Sequence, residues 1–419
     1  MNRGFYTIMA AQFFSSLADS ALLFVAIDLL ASMHASPSLT PLLKLSFVLF
    51  YVLLAPFVGA FADSMLKGRV MFIANLIKVF GCGLVFTGLH PLLAYAVVGF
   101  GAAVYSPAKY GILTELLPPE KLVIANGWIE GLTVLSIILG TAFGGALVSP
   151  HGGVWIMDHV GWLNGLVTAP SQASLAVLIG VYVLAALFNL GIPDTGARYD
   201  HQERNPTKLI ADFATCSATL WKDKLGQISL AVTTLFWGAG ATLQLIVIKW
   251  AERSLQLPLD KSTSLIGVFA LGVAAGAAAA AKIIPLKKSL KVIPLGIVMG
   301  LVVTSMTLVH SVILAVPLLM LIGLLSGFFV VPMNALLQHR GHVLMSAGHS
   351  IAVQNFNENL SILTMLALYA IMITLNLDLN IIIVLFGLSL AGIMYLIGRR
   401  HAANQREHDS LALIGEHKH

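Results

Sequence analysis

The sequence predicts an all-α polytopic membrane protein, in which twelve transmembrane helices form two pseudo-symmetric six-helix bundles. Of its 419 residues, 58% are hydrophobic and 10% are charged, whereas soluble domains are nearer half apolar and a quarter charged. The mean hydropathy is +0.89. Apolar runs of about 20 residues, enough to cross a bilayer, recur along the whole chain. Each run must be a helix, because lipid offers no partner to an unpaired backbone amide.

Twelve apolar runs are candidate spans. They are residues 5–32, 42–62, 70–89, 91–113, 122–148, 172–192, 226–250, 262–284, 292–309, 311–337, 346–374 and 378–398. The first run has no small-residue cleavage site, so we interpret it as an uncleaved span rather than as a signal peptide. The runs divide the chain into an N-terminal bundle (1–192), a linker (193–225), a C-terminal bundle (226–398) and a cytoplasmic tail (399–419).

The positive charges predict the orientation. With a cytoplasmic N-terminus, nineteen lysines and arginines lie on the inner side and only four on the outer side: Lys44, Lys249, Arg253 and Lys261. This asymmetry predicts that both termini are cytoplasmic. The net charge of +5 is spread over short loops, which argues against nucleic acid as a partner because nucleic-acid binding needs a basic face.

The linker 193–225 contains a helix signal. Asn205 is typical of a helix cap and Pro206 of a first turn. Apolar residues then recur at helical spacing from Leu209 to Leu220. We expect an amphipathic helix that lies on the membrane surface and joins the two bundles, with a solvated linker as the alternative.

The two halves of the chain resemble each other. A shift of 228 residues places "IANGWIEGLTVL" on "AVQNFNENLSIL", with Glu130 opposite Glu358. Parallel similarity between halves is typical of transporters whose two bundles rock about a central site. We therefore expect the two glutamates to occupy corresponding places in the two bundles and to face one hydrated chamber.

A loop after the second span resembles the signature of the major facilitator superfamily. In "GAFADSMLKGRV", Gly59 and Asp63 have the expected spacing. A basic pair, Lys67 and Arg69, follows them. The loop departs from the superfamily pattern at Ser64, where a basic residue is usual, and "GTAFGG" in the fifth span lacks the proline of the antiporter motif. The resemblance implies the major facilitator fold, and the departures argue against a drug/proton antiporter.

A narrower resemblance covers both halves. Six segments look like the bacterial lysophospholipid transporter family: "AQFFSSLADSALLF", "GRVMFIANLIKVFG", "AAVYSPAKYGILTEL", "LFWGAGATL", "GFFVVPMNALLQHRG" and "IAVQNFNEN". The resemblance implies a flippase that moves lysophosphatidylethanolamine and lysophosphatidylglycerol from the outer to the inner leaflet of the inner membrane. There an acyltransferase/acyl-carrier-protein synthetase partner re-acylates them. The resemblance also implies sodium dependence that involves Asp19. Members can carry an arginine in span seven where this chain has Gln244.

Four ionisable residues lie deep inside the predicted spans, away from the span ends: Asp19, Lys78, Glu130 and Glu358. Each costs roughly 2.5–3.5 kcal/mol near a helix centre on insertion scales. We therefore expect these residues to be paired or to face a hydrated cavity. We assign all four to the substrate site, together with Asn126 and Gln244.

The eleventh span carries a polar stripe. Gln354 and Glu358 are four residues apart, and Asn355 and Asn359 repeat this spacing. On a helix they share one face. The stripe can face a water-filled cavity and contact substrate, or its amides can hold neighbouring helices by hydrogen bonds. Asn357 falls off the stripe and has no explanation in the sequence.

The first span carries a candidate cation site around Asp19. Three serines lie within little more than one helical turn of it: Ser15, Ser16 and Ser20. Such hard oxygens suit a weak sodium site, so sodium is the expected coupling ion. Protonation of the same carboxylate is the competing mechanism.

A glycerophosphate head group needs partners of both signs. Lys78 can meet the phosphate as a point charge, and Asp19, Glu130 or Glu358 can meet an ammonium group. The alternative is an ion pair without a ligand, either Lys78–Glu130 or Lys78–Asp19.

Another set of charged residues lies near the predicted cytoplasmic ends of the spans. Asp63, Lys67 and Arg69 are expected to form part of an inner gate, with a solvated loop as the alternative. Lys109 follows Pro107, and a proline inside a helix predicts a hinge. We therefore assign Lys109 to the gate, or to an anchor at the membrane interface.

The sequence argues against an enzyme. No His-x4-Asp acyltransferase pattern occurs at any of the 13 histidines, and no Ser or Cys nucleophile has a matching His and acid at the predicted cytoplasmic face. Cys82 and Cys216 fall in different segments, so neither a disulfide framework nor a zinc site is predicted. We expect a monomer among membrane lipids, with no cofactor beyond sodium. The alternative function is a facilitator or exporter of drugs or small polar metabolites.

Overall fold

The structure is a computed structural model, which describes residues 3–34, 39–149, 152–159, 167, 169–199, 202–407 and 410–414. The fold is all α-helical, as the sequence predicts. Its helices are α1 (Arg3–Ser32), α2 (Leu39–Leu53), α3 (Ala55–Asp63), α4 (Lys67–Leu84), α5 (Pro91–Leu116), α6 (Leu122–Leu147), α7 (Gly152–His159), α8 (Pro170–Leu190), α9 (Pro206–Lys222), α10 (Gly226–Ser254), α11 (Leu259–Ile283), α12 (Ile293–Thr304), α13 (Val312–Leu344), α14 (Ala347–Thr374) and α15 (Leu379–Glu407).

Among the described residues, eleven helices are long and apolar enough to cross a membrane, or twelve if α2 and α3 form one bent span. The sequence predicted a single span over 42–62, but the chain bends there by 65°. Pro56 explains the bend, because proline lacks an amide hydrogen and its ring clashes with the carbonyl four residues earlier. The short helix α7 was not predicted.

The chain forms two compact units. The first unit comprises Met1–Leu116, Leu135–Ala211 and Ala347–Ala352, and the second comprises Leu117–Val134, Asp212–Ser346 and Val353–His419. Unit boundaries fall inside α6, α9 and α14. The predicted bundle boundaries stay a prediction.

In the first unit, a glycine makes room for a charged side chain. A Cβ at Gly101 of α5 would lie 2.8 Å from Cγ of Lys78 and 2.8 Å from the carbonyl oxygen of Ala74, both on α4. Helix α5 therefore lies directly against the stem of Lys78. Apolar side chains of α1 and α8 bury the surrounding core; they include Ala18, Leu22, Leu175 and Leu178.

In the second unit, α11 and α13 approach closely through glycines. The glycines are four residues apart on each helix: Gly272, Gly276, Gly323 and Gly327. A Cβ at Gly276 would lie 2.0 Å from the carbonyl oxygen of Leu324, and one at Gly327 would lie 2.0 Å from that of Val273. No larger residue fits without separating the helices. The two GxxxG sequences therefore form one reciprocal contact.

The linker helix α9 begins where the sequence predicts. Oδ1 of Asn205 accepts the backbone N–H of Thr207 at 3.0 Å, so Asn205 caps the helix. Ile210 and Trp221 on α9 are exposed. An exposed apolar side is consistent with a helix on the membrane surface, which stays a prediction.

Candidate functional site

A charged cluster lies in the first unit, between α1, α4 and α8. Nζ of Lys78 lies 2.7 Å from Oδ2 and 2.9 Å from Oδ1 of Asp19. The hydroxyl of Tyr182 donates to Oδ1 of Asp19 at 2.7 Å. The side chain of Lys78 is 1% exposed and that of Asp19 is 22% exposed. The lysine is therefore sealed inside the unit, whereas part of the carboxylate stays accessible.

A second layer of polar groups supports this pair. Nζ of Lys78 also donates to Oγ of Ser15 at 3.0 Å, and that hydroxyl donates to Oδ1 of Asn75 at 2.8 Å. Nζ lies 5.1 Å from the ring centroid of Tyr105, which adds a cation–π contact. Ser15 and Asp19 are four residues apart on α1, so both point to the same neighbour. Asp19 and Ser15 together use the three hydrogens of the ammonium group.

The structure gives Asp19 a cationic partner from the chain itself. Of the two ion pairs that the sequence left open, it shows Lys78–Asp19. Of the predicted sodium oxygens, the hydroxyl of Ser15 accepts from Lys78, and the hydroxyl of Ser20 donates to the carbonyl oxygen of Ser16 at 3.0 Å. Lys78 holds both oxygens of the Asp19 carboxylate, so a sodium ion could bind this carboxylate only in exchange for Lys78. The predicted sodium site stays a prediction.

A network of amides and carboxylates lies in the second unit. Asn126 of α6 and Gln338 of α13 exchange two hydrogen bonds, at 2.8 Å and 2.9 Å. The amide of Asn126 also donates to the carbonyl oxygen of Leu122 at 2.9 Å. Asn126 and Gln338 are buried. Their pairing satisfies two polar side chains that would otherwise be costly to bury.

The same network continues to both glutamates. Nδ2 of Asn334 donates to Oε1 of Glu130 at 3.3 Å. Nε2 of Gln354 donates to Oδ1 of Asn334 at 3.2 Å and to Oε1 of Glu358 at 2.7 Å. Asn334 therefore bridges Glu130 to the α14 pair formed by Gln354 and Glu358.

The rest of the predicted stripe on α14 is divided between different partners. Asn355 is buried, and Nδ2 of Asn359 donates to the carbonyl oxygen of Asn355 at 2.8 Å. Oδ1 of Asn357 accepts from the indole of Trp221 at 3.3 Å, which explains the residue that the sequence left unexplained. Gln244 is exposed on α10, and the structure brings it into neither cluster.

The predicted gate residues Asp63 and Lys67 are buried together. Nζ of Lys67 lies 2.5 Å from Oδ1 of Asp63 and 3.4 Å from Oε1 of Glu115. The carboxylate of Asp63 also accepts the backbone N–H groups of Gly348 at 3.0 Å and His349 at 3.3 Å. These groups begin α14, and a helix N-terminus attracts negative charge. Asp63 thus ties α3 to the start of α14 within the first unit.

The segment 193–199 after α8 closes over this gate cluster. Glu115 accepts hydrogen bonds from the hydroxyls of Thr195 at 2.8 Å and Tyr199 at 2.9 Å. Nζ of Lys67 lies 5.0 Å from the ring centroid of Tyr199. Burial, and then the charge of Glu115, raises the pKa of the Tyr199 phenol, so it remains a hydrogen-bond donor.

The other two predicted gate residues are placed differently. Arg69 is exposed and lines a cavity of about 410 Å³ beside the gate cluster. Lys109 is buried, with Nζ 4.4 Å from the ring centroid of Tyr110. Helix α5 continues through Pro107. The predicted gating roles stay predictions.

Sequence reasoning missed several members of these clusters. They are Asn75, Tyr182, Asn334, Gln338, Glu115, Thr195 and Tyr199. For two of these residues the sequence contained a pattern that could have identified them. Asn334 and Gln338 are four residues apart in an apolar span, the same spacing that drew attention to Gln354 and Glu358. Tyr182 lies in a span whose pattern gives no such signal.

The fold and its charged core define a class of protein. The sequence model of the Major Facilitator Superfamily matches residues 8–362. A crystal structure of the E. coli fucose:proton symporter FucP aligns with a TM-score of 0.73 at 10% identity, over 95% of this chain and 98% of that one. A bacterial homologue of the iron transporter ferroportin aligns with a TM-score of 0.71 at 14% identity, over 96% and 100%. The last two likenesses show the fold alone.

Closer relatives narrow the class. The protein "Lysophospholipid transporter LplT" of Yersinia enterocolitica is 40% identical over 377 residues, which cover 90% of this chain and 89% of that protein. The protein of the same name from Yersinia pseudotuberculosis is also 40% identical, over 90% and 88%. The chain belongs to the major facilitator superfamily and, within it, to the family of these transporters.

Proposed function

We propose that this protein is a flippase for lysophospholipids, among them lysophosphatidylethanolamine and lysophosphatidylglycerol. It moves them from the outer to the inner leaflet of a bacterial inner membrane by alternating access, as a monomer with both termini in the cytoplasm. An acyltransferase/acyl-carrier-protein synthetase then re-acylates the product. The observation that carries the proposal is 40% identity over 90% of the chain with proteins named lysophospholipid transporters.

The chemistry of the clusters supports this substrate class. A lysophospholipid head group carries a phosphate and, in the ethanolamine lipid, an ammonium group. The first unit offers a buried ammonium at Lys78 and a partly exposed carboxylate at Asp19. The second unit offers Glu130 and Glu358 among amides. Groups of both signs at bilayer depth are expensive, and they are typical of a transport pathway.

The proposed sodium link acts through exchange of cations at Asp19. Lys78 holds the carboxylate now, so a sodium ion or a substrate ammonium must compete with an ammonium already in place. The partial exposure of Asp19 gives a competing cation access to the carboxylate. Release of Lys78 would free its charge for a lipid phosphate, which links cation entry to substrate binding.

Transfer of labelled lysophosphatidylethanolamine in proteoliposomes tests the proposal. Wild type is compared with Asp19→Asn, with sodium present or replaced by potassium or N-methylglucamine. We expect wild type to move the lipid faster with sodium. We expect Asp19→Asn to be slower by about tenfold, corresponding to about 1.4 kcal/mol, and insensitive to sodium.

Asp28→Asn is the matched control, because Asp28 is a second carboxylate on the same helix, outside the cluster. It should behave like wild type. Equal, sodium-independent transport by wild type and Asp19→Asn would refute the sodium link. A wild type that moves no lysophospholipid but transports a drug would replace this function with the alternative one.

A further inference from the structure

A buried amide oxygen of the second unit, Oε1 of Gln354, has no hydrogen-bond partner among the described residues. Nε2 of Gln354 donates both to Asn334 and to Glu358. This double donation fixes the orientation of the amide, because Nε2 rather than Oε1 meets both partners. Within the described part of the chain, that oxygen has no hydrogen-bond donor, and the residue is only 5% exposed. A buried acceptor left unpaired is costly unless a ligand or water supplies a donor.

The neighbouring carboxylate has no cationic partner in the part of the chain that the structure describes. Glu358 is buried, and among the described residues no lysine, arginine or histidine forms an ion pair with it. Its hydrogen-bond donors are neutral: the amide of Gln354 at 2.7 Å and the hydroxyl of Thr233. Burying a carboxylate without a cation is unfavourable, so such a group favours a bound cation or a proton.

The first unit shows the opposite arrangement. Asp19 is already neutralised by Lys78 and accepts a further hydrogen bond from Tyr182. An incoming ammonium must displace Lys78 to reach Asp19, whereas no cation of the described chain has to leave Glu358. Of Asp19 and Glu358, the structure therefore favours Glu358 as the carboxylate that meets an ammonium.

We propose that Oε1 of Gln354 and the carboxylate of Glu358 together bind the primary ammonium of an ethanolamine head group. A primary ammonium has three N–H donors, and these two side chains offer adjacent acceptors on one face of α14. Asn334 is a positioning residue, because its Oδ1 helps to hold Nε2 and so aims Oε1 of Gln354. The inference rests on the proposed function and assigns head-group selection to this site.

The site should discriminate among head groups by hydrogen bonding. Lysophosphatidylethanolamine supplies N–H donors to both acceptors. Lysophosphatidylcholine carries the same charge but has no N–H group, so it leaves Oε1 of Gln354 unpaired. Lysophosphatidylglycerol has no cation, so its transport should depend little on Glu358.

Transport of the three lipids in proteoliposomes, each measured alone, tests the site. The variants are Glu358→Gln and Gln354→Met, which keep the side-chain length. The first removes the charge, and the second removes the acceptor Oε1 together with the donor Nε2. We expect each variant to slow the transport of lysophosphatidylethanolamine by about tenfold or more, which is the effect of losing a charge-assisted hydrogen bond. Transport of lysophosphatidylglycerol should stay within about twofold of wild type.

Thr364→Val is the matched control, since Thr364 lies on the same helix and bonds only to the carbonyl oxygen of Leu360. Thermal unfolding in detergent, with and without each lipid, verifies folding. The ethanolamine lipid should stabilise wild type and the control more than it stabilises either variant. If one of the two variants does not fold, transport by the other variant tests the inference.

Two results would overturn the inference while leaving the proposed function intact. In one, Glu358→Gln transports both lipids like wild type, which means that a proton rather than a ligand neutralises the carboxylate. In the other, Glu358→Gln slows the transport of both lipids equally, which means that Glu358 has a role in transport that does not depend on the head group. A wild type that moves no lysophospholipid refutes the proposed function, and the inference fails with it.

Discussion

The two units bury their carboxylates in different ways. In the first unit, Asp19 is held by the ammonium of Lys78 at 2.7 Å. In the second unit, Glu130 and Glu358 accept hydrogen bonds from the amides of Asn334 and Gln354. In the buried ion pair the two charges neutralise each other, whereas Glu358 has no cationic partner among the described residues. The first unit is therefore suited to exchange one cation for another, and the second is suited to receive a cation.

Removal of the cation in the first unit should have the largest effect. Lys78→Met leaves Asp19 without its charge partner in a site that is mostly buried. Breaking a buried ion pair costs 3–5 kcal/mol, and the partial exposure of Asp19 suggests a value near the lower end, about 3 kcal/mol. We expect a lower Tm in detergent and loss of lysophospholipid transport in proteoliposomes.

The double variant Asp19→Asn/Lys78→Met separates stability from transport. It should recover most of the lost Tm, because no buried charge is left unpaired, but it should not recover transport. A double variant as unstable as Lys78→Met would show that the ion pair is not what stabilises α1 against α4.

The second unit should be more sensitive to its helix packing than to charge. Gly276→Leu places a side chain where even a Cβ would lie 2.0 Å from a backbone oxygen of α13. Overpacking of this kind costs about 1–3 kcal/mol, and the rigid backbone contact suggests the upper end. Gly240→Leu on α10 is the control, since open space surrounds that position. Equal Tm values for the two variants would contradict a close α11–α13 contact.

The amide pair of the second unit should show strong coupling. Asn126→Leu alone leaves the buried amide of Gln338 without its reciprocal partner, at a cost of about 1–3 kcal/mol. The double variant Asn126→Leu/Gln338→Leu removes both polar groups and should be closer to wild type in Tm. Additive losses in this double-mutant cycle would mean that the two amides do not depend on each other.

The smallest expected effect is at the gate cluster. Tyr199→Phe removes the hydroxyl that donates to Glu115, which is worth about 0.5–1.5 kcal/mol. Because burial and Glu115 raise the pKa of Tyr199 in the folded protein, the phenol stays protonated while the unfolded chain ionises near pH 10. The stability it contributes is therefore fully present below about pH 10 and is lost at higher pH.

Thermal unfolding of wild type and Tyr199→Phe from pH 6 to pH 11 measures this effect. The difference in Tm should be constant up to about pH 9 and should shrink above pH 10. A difference that already disappears at pH 7 would show that the hydroxyl does not stabilise the segment 193–199.

Sequence reasoning located the polar positions better than their partners. The internal similarity placed Glu130 opposite Glu358 in two separate bundles, yet the structure joins both to Asn334 in one network. The sequence allowed two ion-pair partners for Lys78, and the structure shows that the partner is Asp19. A hydrogen bond joins helices far apart in the sequence, and which side chains meet depends on the rotation and register of those helices.

By itself, the sequence determined that this is an all-α membrane protein, where its long apolar helices lie, and that α9 begins after Asn205. These properties follow from composition and local spacing, because a bilayer acts on each segment separately. The tertiary structure decided the bend before α3, the glycine contact of α11 with α13, and the partner of each buried charge. Those outcomes depend on distances between helices, which no local pattern in the chain records.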